Sequence, residues 1–231
     1  MTDYLFAPAP PVSLPIDGQT ARYPVNRIFC VGRNYAAHAA EMGAEVDREA
    51  PFYFTKAPAH LVESGATLAF PPGTEKLHHE MELAFVIGSP VFRADRAGAG
   101  AAIYAYATAF DMTRRDLQDV AKEKRRPWDT GKDFEGSVVV SALVPATGFT
   151  PADQRIRLEV NGQGRQDGRL SDMIHDCAGI VAHLSTLYHL APGDLILTGT
   201  PEGVGPVVAG DRITGQIEGL PEVRLTYGAP E

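Results

Sequence analysis

The chain has 231 residues, of which 44% are hydrophobic and 22% are charged, and its formal net charge is −8. This composition is typical of a globular protein that buries a core without disulfides, and no apolar run is long enough to span a bilayer. The acidic balance excludes general nucleic-acid binding, which needs a basic face, and the two cysteines without a Cys-x-x-Cys motif indicate buried thiols in a reducing, cytoplasmic setting.

The N-terminal part of the chain changes character at about residue 25. Residues 1–25 hold several prolines and little periodicity, so we treat them as an irregular arm or short extension that could carry a short hairpin around Asp17-Gly18. A buried strand is predicted over 26–32, followed by a helix over 34–43 with an asparagine cap and a glycine stop. The charged segment 44–51 is predicted to be a mobile loop that could serve as a lid.

The rest of the chain reads as many short strands with few helices. Strands are predicted at 51–56, 79–87, 103–110, 137–143, 155–161, 195–198, 211–218 and 222–227. Helices are predicted at 94–102, 113–124 and 176–189, with a loop at 126–136. Because strands and helices do not alternate regularly, the pattern favours an α+β, β-rich fold over a parallel doubly wound sheet.

The strongest local pattern is a pair of glutamates, Glu80 and Glu82, in the apolar segment 79–87. Side chains two apart in a strand share a face, and two adjacent carboxylates are stable when a cation lies between them. Asp111 follows the apolar run 103–110 and could add a third oxygen ligand, which suits Mg²⁺ or Mn²⁺. The pattern also allows two solvated glutamates and an aspartate that caps a turn.

A second candidate pair is His38 and Glu41, three residues apart in a predicted helix and therefore on one face. A carboxylate beside an imidazole fixes its tautomer and raises its basicity, so the pair could deprotonate a water. A solvated pair on a short helix is the simpler alternative. His78 and His79 lack a partner at metal-site spacing and are expected to pack or to form hydrogen bonds.

Three further segments could contact a substrate. Lys132 lies between glycine and aspartate, where it could present a cation to an oxyanion or simply be solvated. The basic stretch 114–126 could attract a carboxylate or form a solvated helix face. The glycine-rich segment 193–205 lacks the ending of a P-loop, so we interpret it as a tight substrate-facing turn in which Thr200 offers its hydroxyl. No Gly-x-Ser-x-Gly elbow occurs, which disfavours a serine hydrolase.

Five segments of the chain occur together in one order. They are Val31–His38, Leu77–Leu83, Phe110–Gln118, Trp128–Phe134 and Leu197–Gly205. In this combination the chain resembles the fumarylacetoacetate hydrolase superfamily, in particular its acylpyruvase and fumarylpyruvate hydrolase branch. The resemblance covers residues 26 to the C-terminus. It implies a mixed β-sandwich roll with a few short helices, usually homodimeric, in which 26–231 form the catalytic domain.

The resemblance also implies a role for each candidate. The implied metal ligands, for Mg²⁺ or Mn²⁺, are Glu80, Glu82 and Asp111. The implied catalytic residues are His38 and Glu41, which activate water, and Lys132, a cationic stabiliser. The implied substrate contacts are Arg115, Gln118 and Thr200.

The implied activity is hydrolysis of the carbon–carbon bond in a small 2-oxo acid of the acylpyruvate type, with fumarylpyruvate, an intermediate of aromatic-acid breakdown, as the preferred substrate. A decarboxylase of oxaloacetate-like acids and an isomerase of unsaturated 2-oxo diacids are alternatives on the same scaffold. The His38 and Glu41 pair favours hydrolysis, because a decarboxylase needs no activated water. A non-catalytic metal-binding protein is a further alternative.

Overall fold

The computed structural model describes residues 3–41 and 48–230, and more of these residues lie in strands than in helices. The helices are Ala36–Glu41 (α1), Arg96–Ala101 (α2), Arg115–Glu123 (α3), Asp129–Lys132 (α4) and Cys177–Leu187 (α5), with 3₁₀ turns at Pro58–His60 and Leu170–Asp172. No helix in this part of the chain is both long enough and apolar enough to cross a membrane.

The strands are numbered in chain order. They are Ser13–Pro15 (β1), Arg22–Pro24 (β2), Arg27–Gly32 (β3), Phe52–Lys56 (β4), Leu61–Glu63 (β5), Ala66–Phe70 (β6), Leu77–His79 (β7), Met81–Ile87 (β8), Ile103–Asp111 (β9), Thr113–Arg114 (β10), Val138–Val140 (β11), Val144–Pro145 (β12), Arg155–Val160 (β13), Gln163–Arg169 (β14), Asp194–Leu197 (β15), Gly205–Val207 (β16), Arg212–Ile217 (β17) and Val223–Pro230 (β18).

Within the described residues these strands form four sheets. The largest is mixed, with the order β4-β3-β15-β8-β9-β11-β5 and with β12 paired to β9. A second sheet has the order β14-β13-β17-β18-β6. A small sheet, β10-β7-β16, lies at one end, and the N-terminal hairpin β1-β2 forms the fourth. The two larger sheets and few helices confirm the predicted β-rich, sandwich-like α+β fold.

The central antiparallel pair, β8 and β9, explains how residues distant in sequence come together. Met81 pairs with Phe110 and Glu82 with Ala109, so the start of β8 lies beside the end of β9. The backbone N–H of Asp111 donates to the carbonyl of Glu80 at 2.9 Å. The register therefore fixes three acidic positions at one end of the central strand pair, since a one-residue slip would turn Glu82 to the opposite face.

Two hydrophobic clusters cover the two faces of the large sheet. On one face the odd-numbered residues of β8, from Met81 to Ile87, pack against the second sheet and helix α5. On the other face Ala84 and Val86 pack with the N-terminal hairpin, whose Leu14 is fully buried. Both faces of β8 are thus apolar, and any charged side chain on it must find a partner inside the protein.

The N-terminal hairpin shows that residues 1–25 contribute more than an irregular arm. Ser13–Pro15 pairs with Arg22–Pro24 around the turn at Asp17-Gly18, and Tyr23 donates through its hydroxyl to the carbonyl of Ile87 at 2.6 Å. The predicted division of the chain at residue 25 stays a prediction, although the hairpin and the large sheet share one hydrophobic cluster.

Several predicted element boundaries differ in the structure. Glu80 lies in the break between β7 and β8 rather than inside one strand, and α3 starts only at Arg115 because Thr113–Arg114 is a strand. The predicted loop 126–136 contains the short helix α4. The helix predicted over 34–43 is Ala36–Glu41, and its expected glycine stop and residues 44–47 of the expected lid lie outside the described residues.

Candidate metal centre and active site

Three carboxylates meet where β8 begins and β9 ends. Glu80, Glu82 and Asp111 each offer an oxygen, and these oxygens lie within 4.8 Å of one another. All three residues are at most 4% exposed. Three buried carboxylates at this separation are close enough to share one hard cation such as Mg²⁺ or Mn²⁺, and three of six octahedral positions would then remain for other ligands.

Two lysines neutralise part of this negative charge. The ammonium of Lys132, held on the short helix α4, lies 2.7 Å from Glu80 and 2.8 Å from Asp111. Lys56, at the end of β4, lies 2.5 Å from the second oxygen of Asp111 and donates to the carbonyls of Met112 and Ser137. Asp111 is therefore held between two buried ammonium groups.

Helix α3 brings a guanidinium to the same place. Arg115 is buried, forms an ion pair with Glu80, and donates to Gln118 at 2.5 Å. Arg115 and Gln118 lie three residues apart on the helix, so their side chains share the face that looks toward the carboxylates. Gly131 makes this packing possible, because a Cβ there would lie 2.8 Å from the backbone nitrogen of Gln118.

Glu82 is the carboxylate that lacks a cationic partner. Its only hydrogen bond among the described residues comes from the backbone N–H of Gly199, at 2.7 Å. Burial, and then the negative charges of Asp111 and Glu80, raise its pKa well above the ordinary value. A divalent cation would supply the missing positive charge, so the donor set fits a metal ion.

The pKa of Glu80 is shifted in the opposite direction from that of Glu82. Burial alone would raise its pKa, but the positive charges of Lys132 and Arg115 outweigh burial and leave the pKa below the ordinary value. Burial likewise disfavours the charged form of Lys132, yet Asp111 and Glu80 raise its pKa. Glu80 and Lys132 are both charged at neutral pH.

His38 and Glu41 lie at the edge of the same cavity on helix α1. Nδ1 of His38 lies 3.5 Å from the Glu41 carboxylate, and Glu41 in turn accepts from the backbone N–H of Gly203 at 3.1 Å. Burial lowers the pKa of His38 below 6.5, and this outweighs the opposite effect of the nearby carboxylates. The imidazole is therefore neutral near pH 7 and able to accept a proton.

A cavity of about 420 Å³ connects these groups. Eight of the nine residues that the sequence singled out line it: His38, Glu80, Glu82, Asp111, Arg115, Gln118, Lys132 and Thr200. Glu41, the ninth, lies beside His38. Phe54 and Trp128 add apolar walls, so the cavity combines a charged floor with sides suited to a short carbon chain.

Comparison with known proteins decides the family. The model for the fumarylacetoacetate (FAA) hydrolase C-terminal region matches residues 27–226. The chain belongs to the fumarylacetoacetate hydrolase family.

Members of this family similar to the chain differ in activity. A fumarylpyruvate hydrolase of a Ralstonia species is 55% identical over 192 residues, which are 82% of this chain and 100% of that protein. An oxaloacetate tautomerase of Escherichia coli is 40% identical over 204 residues, 87% of this chain and 93% of that protein. Among crystal structures, a Pseudomonas aeruginosa fumarylpyruvate hydrolase in complex with Mn²⁺ and pyruvate matches with a TM-score of 0.94 and 43% identity, covering 98% and 100% of the two chains.

Two polar residues in this member of the family were missed at the sequence level. Lys56 ends an ordinary strand pattern, and nothing in Phe52–Lys56 indicates a buried ammonium. Gln166 accepts from His79 and from the backbone N–H of Met81, both at 3.0 Å, and donates to the hydroxyl of Thr200 at 2.8 Å. This network leaves the Thr200 proton free to donate to a group in the cavity.

Neither His78 nor His79 belongs to the carboxylate cluster found among the described residues. Burial, followed by the charge of Arg115, lowers the pKa of His78 to about 4. His79 is bonded to Gln166 and lies against the turn that carries Thr200. The one local signal for Gln166 was the Asn161-Gly162 turn, which predicts a hairpin partner strand at its position.

Proposed function

We propose that this protein is a divalent-metal-dependent hydrolase that cleaves the carbon–carbon bond of an acylpyruvate. The preferred substrate is fumarylpyruvate, and the products are fumarate and pyruvate. The observation that carries the proposal is the cluster of three buried carboxylates with a neutral histidine at the edge of the same cavity. The 55% identity to a fumarylpyruvate hydrolase supports this choice of substrate.

The proposed ligands of the ion are Glu80, Glu82 and Asp111. When bound, the ion supplies positive charge that polarises the oxygens of the 2-oxo acid end of the substrate. Mg²⁺ and Mn²⁺ are both suitable, because each prefers hard oxygen ligands in octahedral geometry. The likeness to a crystal structure that contains Mn²⁺ and pyruvate supports this assignment.

His38 is the proposed general base. Its Nδ1 faces Glu41, which leaves Nε2 to take a proton from water, and its lowered pKa keeps the ring neutral near pH 7. The hydroxide adds to the distal acyl carbonyl, and the bond between that carbon and the pyruvate methylene breaks. The electron pair leaves with the pyruvate half as an enolate, which takes a proton to give pyruvate.

Four neighbouring side chains would position the substrate and balance the charge that develops during the reaction. Lys132 lies at the floor of the cavity, where its ammonium balances negative charge that develops on the leaving half. Arg115 and Gln118 form one bonded pair on α3 and offer donors to the substrate carboxylate. Thr200 accepts from Gln166, so its own proton points to a substrate oxygen.

The decisive assay compares fumarylpyruvate, acetylpyruvate and oxaloacetate, each with Mg²⁺, with Mn²⁺ and with EDTA. We expect fumarylpyruvate to be cleaved fastest and cleavage to stop with EDTA. Faster decarboxylation of oxaloacetate, or isomerisation without cleavage, would favour the alternatives on the same scaffold. If none of the three substrates is turned over in a metal-dependent way, the protein is a non-catalytic metal-binding protein.

We also propose that the protein is a cytoplasmic homodimer. The exposed side chains of Tyr4, Leu5 and Phe6 support the dimer, because a run of exposed apolar residues is typical of an interaction surface. Light scattering on the purified protein would give twice the mass of 24.8 kDa if the dimer forms. A mass equal to one chain would contradict it.

A further inference from the structure

The outer part of the catalytic cavity carries two cations that the reaction scheme leaves unused. Lys122, on helix α3, and Arg33, which follows β3, both line the cavity. The ammonium of Lys122 lies 5.4 Å from the centre of the Trp128 ring, and its side chain is only 29% exposed. Lys122 packs on Trp128 and lines the cavity, so its ammonium is placed to bind an anion there.

Within residues 3–41 and 48–230, neither cation lies in a close ion pair. Among the described residues, the carboxylate that pairs with Lys122 is that of Asp119, 3.7 Å away and itself 55% exposed. Arg33 makes no hydrogen bond or ion pair with any described residue. By contrast, Lys132 and Arg115 deeper in the cavity are already paired with Glu80 and Asp111. The positive charge with the weakest pairing among the described residues therefore lies at the outer end of the cavity.

The charge of the whole cavity is also positive. Four lysine and arginine side chains line it against three carboxylates, an excess of one positive charge. A divalent ion on the carboxylates would raise that excess to three. A substrate with a single carboxylate would leave most of this charge unbalanced, whereas a dicarboxylate would neutralise more of it.

We propose that Lys122 and Arg33 bind the distal carboxylate of a dicarboxylic acylpyruvate and so select diacids over acyl chains that end in a methyl group. This inference rests on the proposed hydrolysis. The 2-oxo acid end lies at the carboxylate floor, the carbon chain lies along Phe54 and Trp128, and the far carboxylate meets the two cations. Lys122 and Arg33 are specificity residues, because they contact a part of the substrate remote from the bond that breaks.

The test uses two substrates with the same carbon skeleton, fumarylpyruvate and crotonylpyruvate, in which a methyl group replaces the distal carboxylate. Both are measured with Mn²⁺ on the wild type, Lys122→Met, Lys122→Arg and Arg33→Met. Methionine keeps the length of the lysine stem over Trp128 and removes only the charge. Lys124→Met is the matched control, since Lys124 follows the end of the same helix and does not line the cavity.

We expect Lys122→Met to lower the ratio of kcat/KM for fumarylpyruvate to that for crotonylpyruvate by about tenfold or more, mainly through KM. Arg33→Met should lower the same ratio, Lys122→Arg should largely preserve it, and Lys124→Met should leave it unchanged. Equal losses on both substrates, or an unchanged ratio in both methionine variants, would overturn the inference while hydrolysis stands. A wild type that cleaves neither substrate would instead overturn the proposed function.

Discussion

The floor and the edge of the cavity are built in different ways. The floor consists of Glu80, Glu82 and Asp111 on the central strands, with Lys56 and Lys132 bonded around them, and every one of these residues is at most 4% exposed. The edge consists of His38 and Glu41 on a helix of six residues, where the Glu41 side chain is 37% exposed. We infer that the buried carboxylates and lysines of the floor hold the substrate in place. The more exposed His38 and Glu41 at the edge activate the water.

The largest effect is expected from removing one charge at the floor. Glu82→Gln keeps the shape and the hydrogen bond from Gly199 but removes a ligand, so Mn²⁺ affinity should fall about a hundredfold or more and turnover about a thousandfold or more. Without metal its unfolding midpoint should not fall, because Glu82 is a buried carboxylate with no cation and a raised pKa. Calorimetric titration and thermal unfolding measure the two quantities.

A matched control for that variant is Glu123→Gln, an exposed glutamate at the end of α3. It should bind Mn²⁺ as the wild type does. If Glu82→Gln kept full Mn²⁺ affinity, or lost stability in the absence of metal, the assignment of Glu82 as a cation ligand would be wrong.

The next largest effect is expected at the edge. His38→Ala removes the proposed base, so turnover should fall about 100- to 10,000-fold while Mn²⁺ affinity stays within about threefold. Steady-state kinetics and metal titration on the same sample separate the two roles. Loss of metal binding in this variant would show that the edge and the floor are not independent.

The pH dependence of kcat/KM should reflect the titration of His38 at the edge of the cavity rather than that of the carboxylates at the floor. His38 works when neutral, and burial places its pKa below 6.5, so kcat/KM should be constant near neutral pH and fall about tenfold per unit once the pH drops below that pKa. Measurements at saturating Mn²⁺ between about pH 5 and 8 test this, because His is the side chain that titrates there. An acid limb with its midpoint above 6.5 would contradict the assignment.

The smallest effect is expected from Glu41→Gln. The carboxylate raises the pKa of His38, so its removal should move the acid limb to lower pH and reduce kcat by about tenfold. The bonds from Gly203 can be kept by the glutamine oxygen, so the turn at 199–205 should stay in place. A variant with an unchanged pH profile would show that Glu41 does not act through His38.

Some residues of the site could be predicted from the sequence and others could not. Glu82 and Asp111 stood out in the sequence because they interrupt or end apolar runs, and the antiparallel strands β8 and β9 bring them together. The same pattern also allowed solvated side chains, and the resemblance to a known family selected the metal-site interpretation. Lys56 and Gln166 could not be predicted, because their burial arises only where several strands converge. Short strands such as Leu61–Glu63 were missed because three residues carry no measurable alternation.

The His38 and Glu41 pair lies between these extremes. Their spacing predicted a shared helix face, and the structure places them 3.5 Å apart, but spacing could not show that His38 lines the same cavity as the carboxylates. Glu41 is held in turn by the segment 199–205, where the backbone N–H of Gly203 donates to its carboxylate. Gly203 has a positive φ of 87°, and a Cβ there would lie 2.3 Å from the carbonyl oxygen of Arg165.

The most direct test of the account is to run the reaction in water enriched in the heavy oxygen isotope, with fumarylpyruvate and Mn²⁺. If a water activated by His38 attacks the acyl carbonyl, the fumarate released should carry one heavy oxygen atom, and EDTA should abolish its formation. Release of unlabelled fumarate, or conversion of the substrate to an isomer with no cleavage, would contradict hydrolysis by this site.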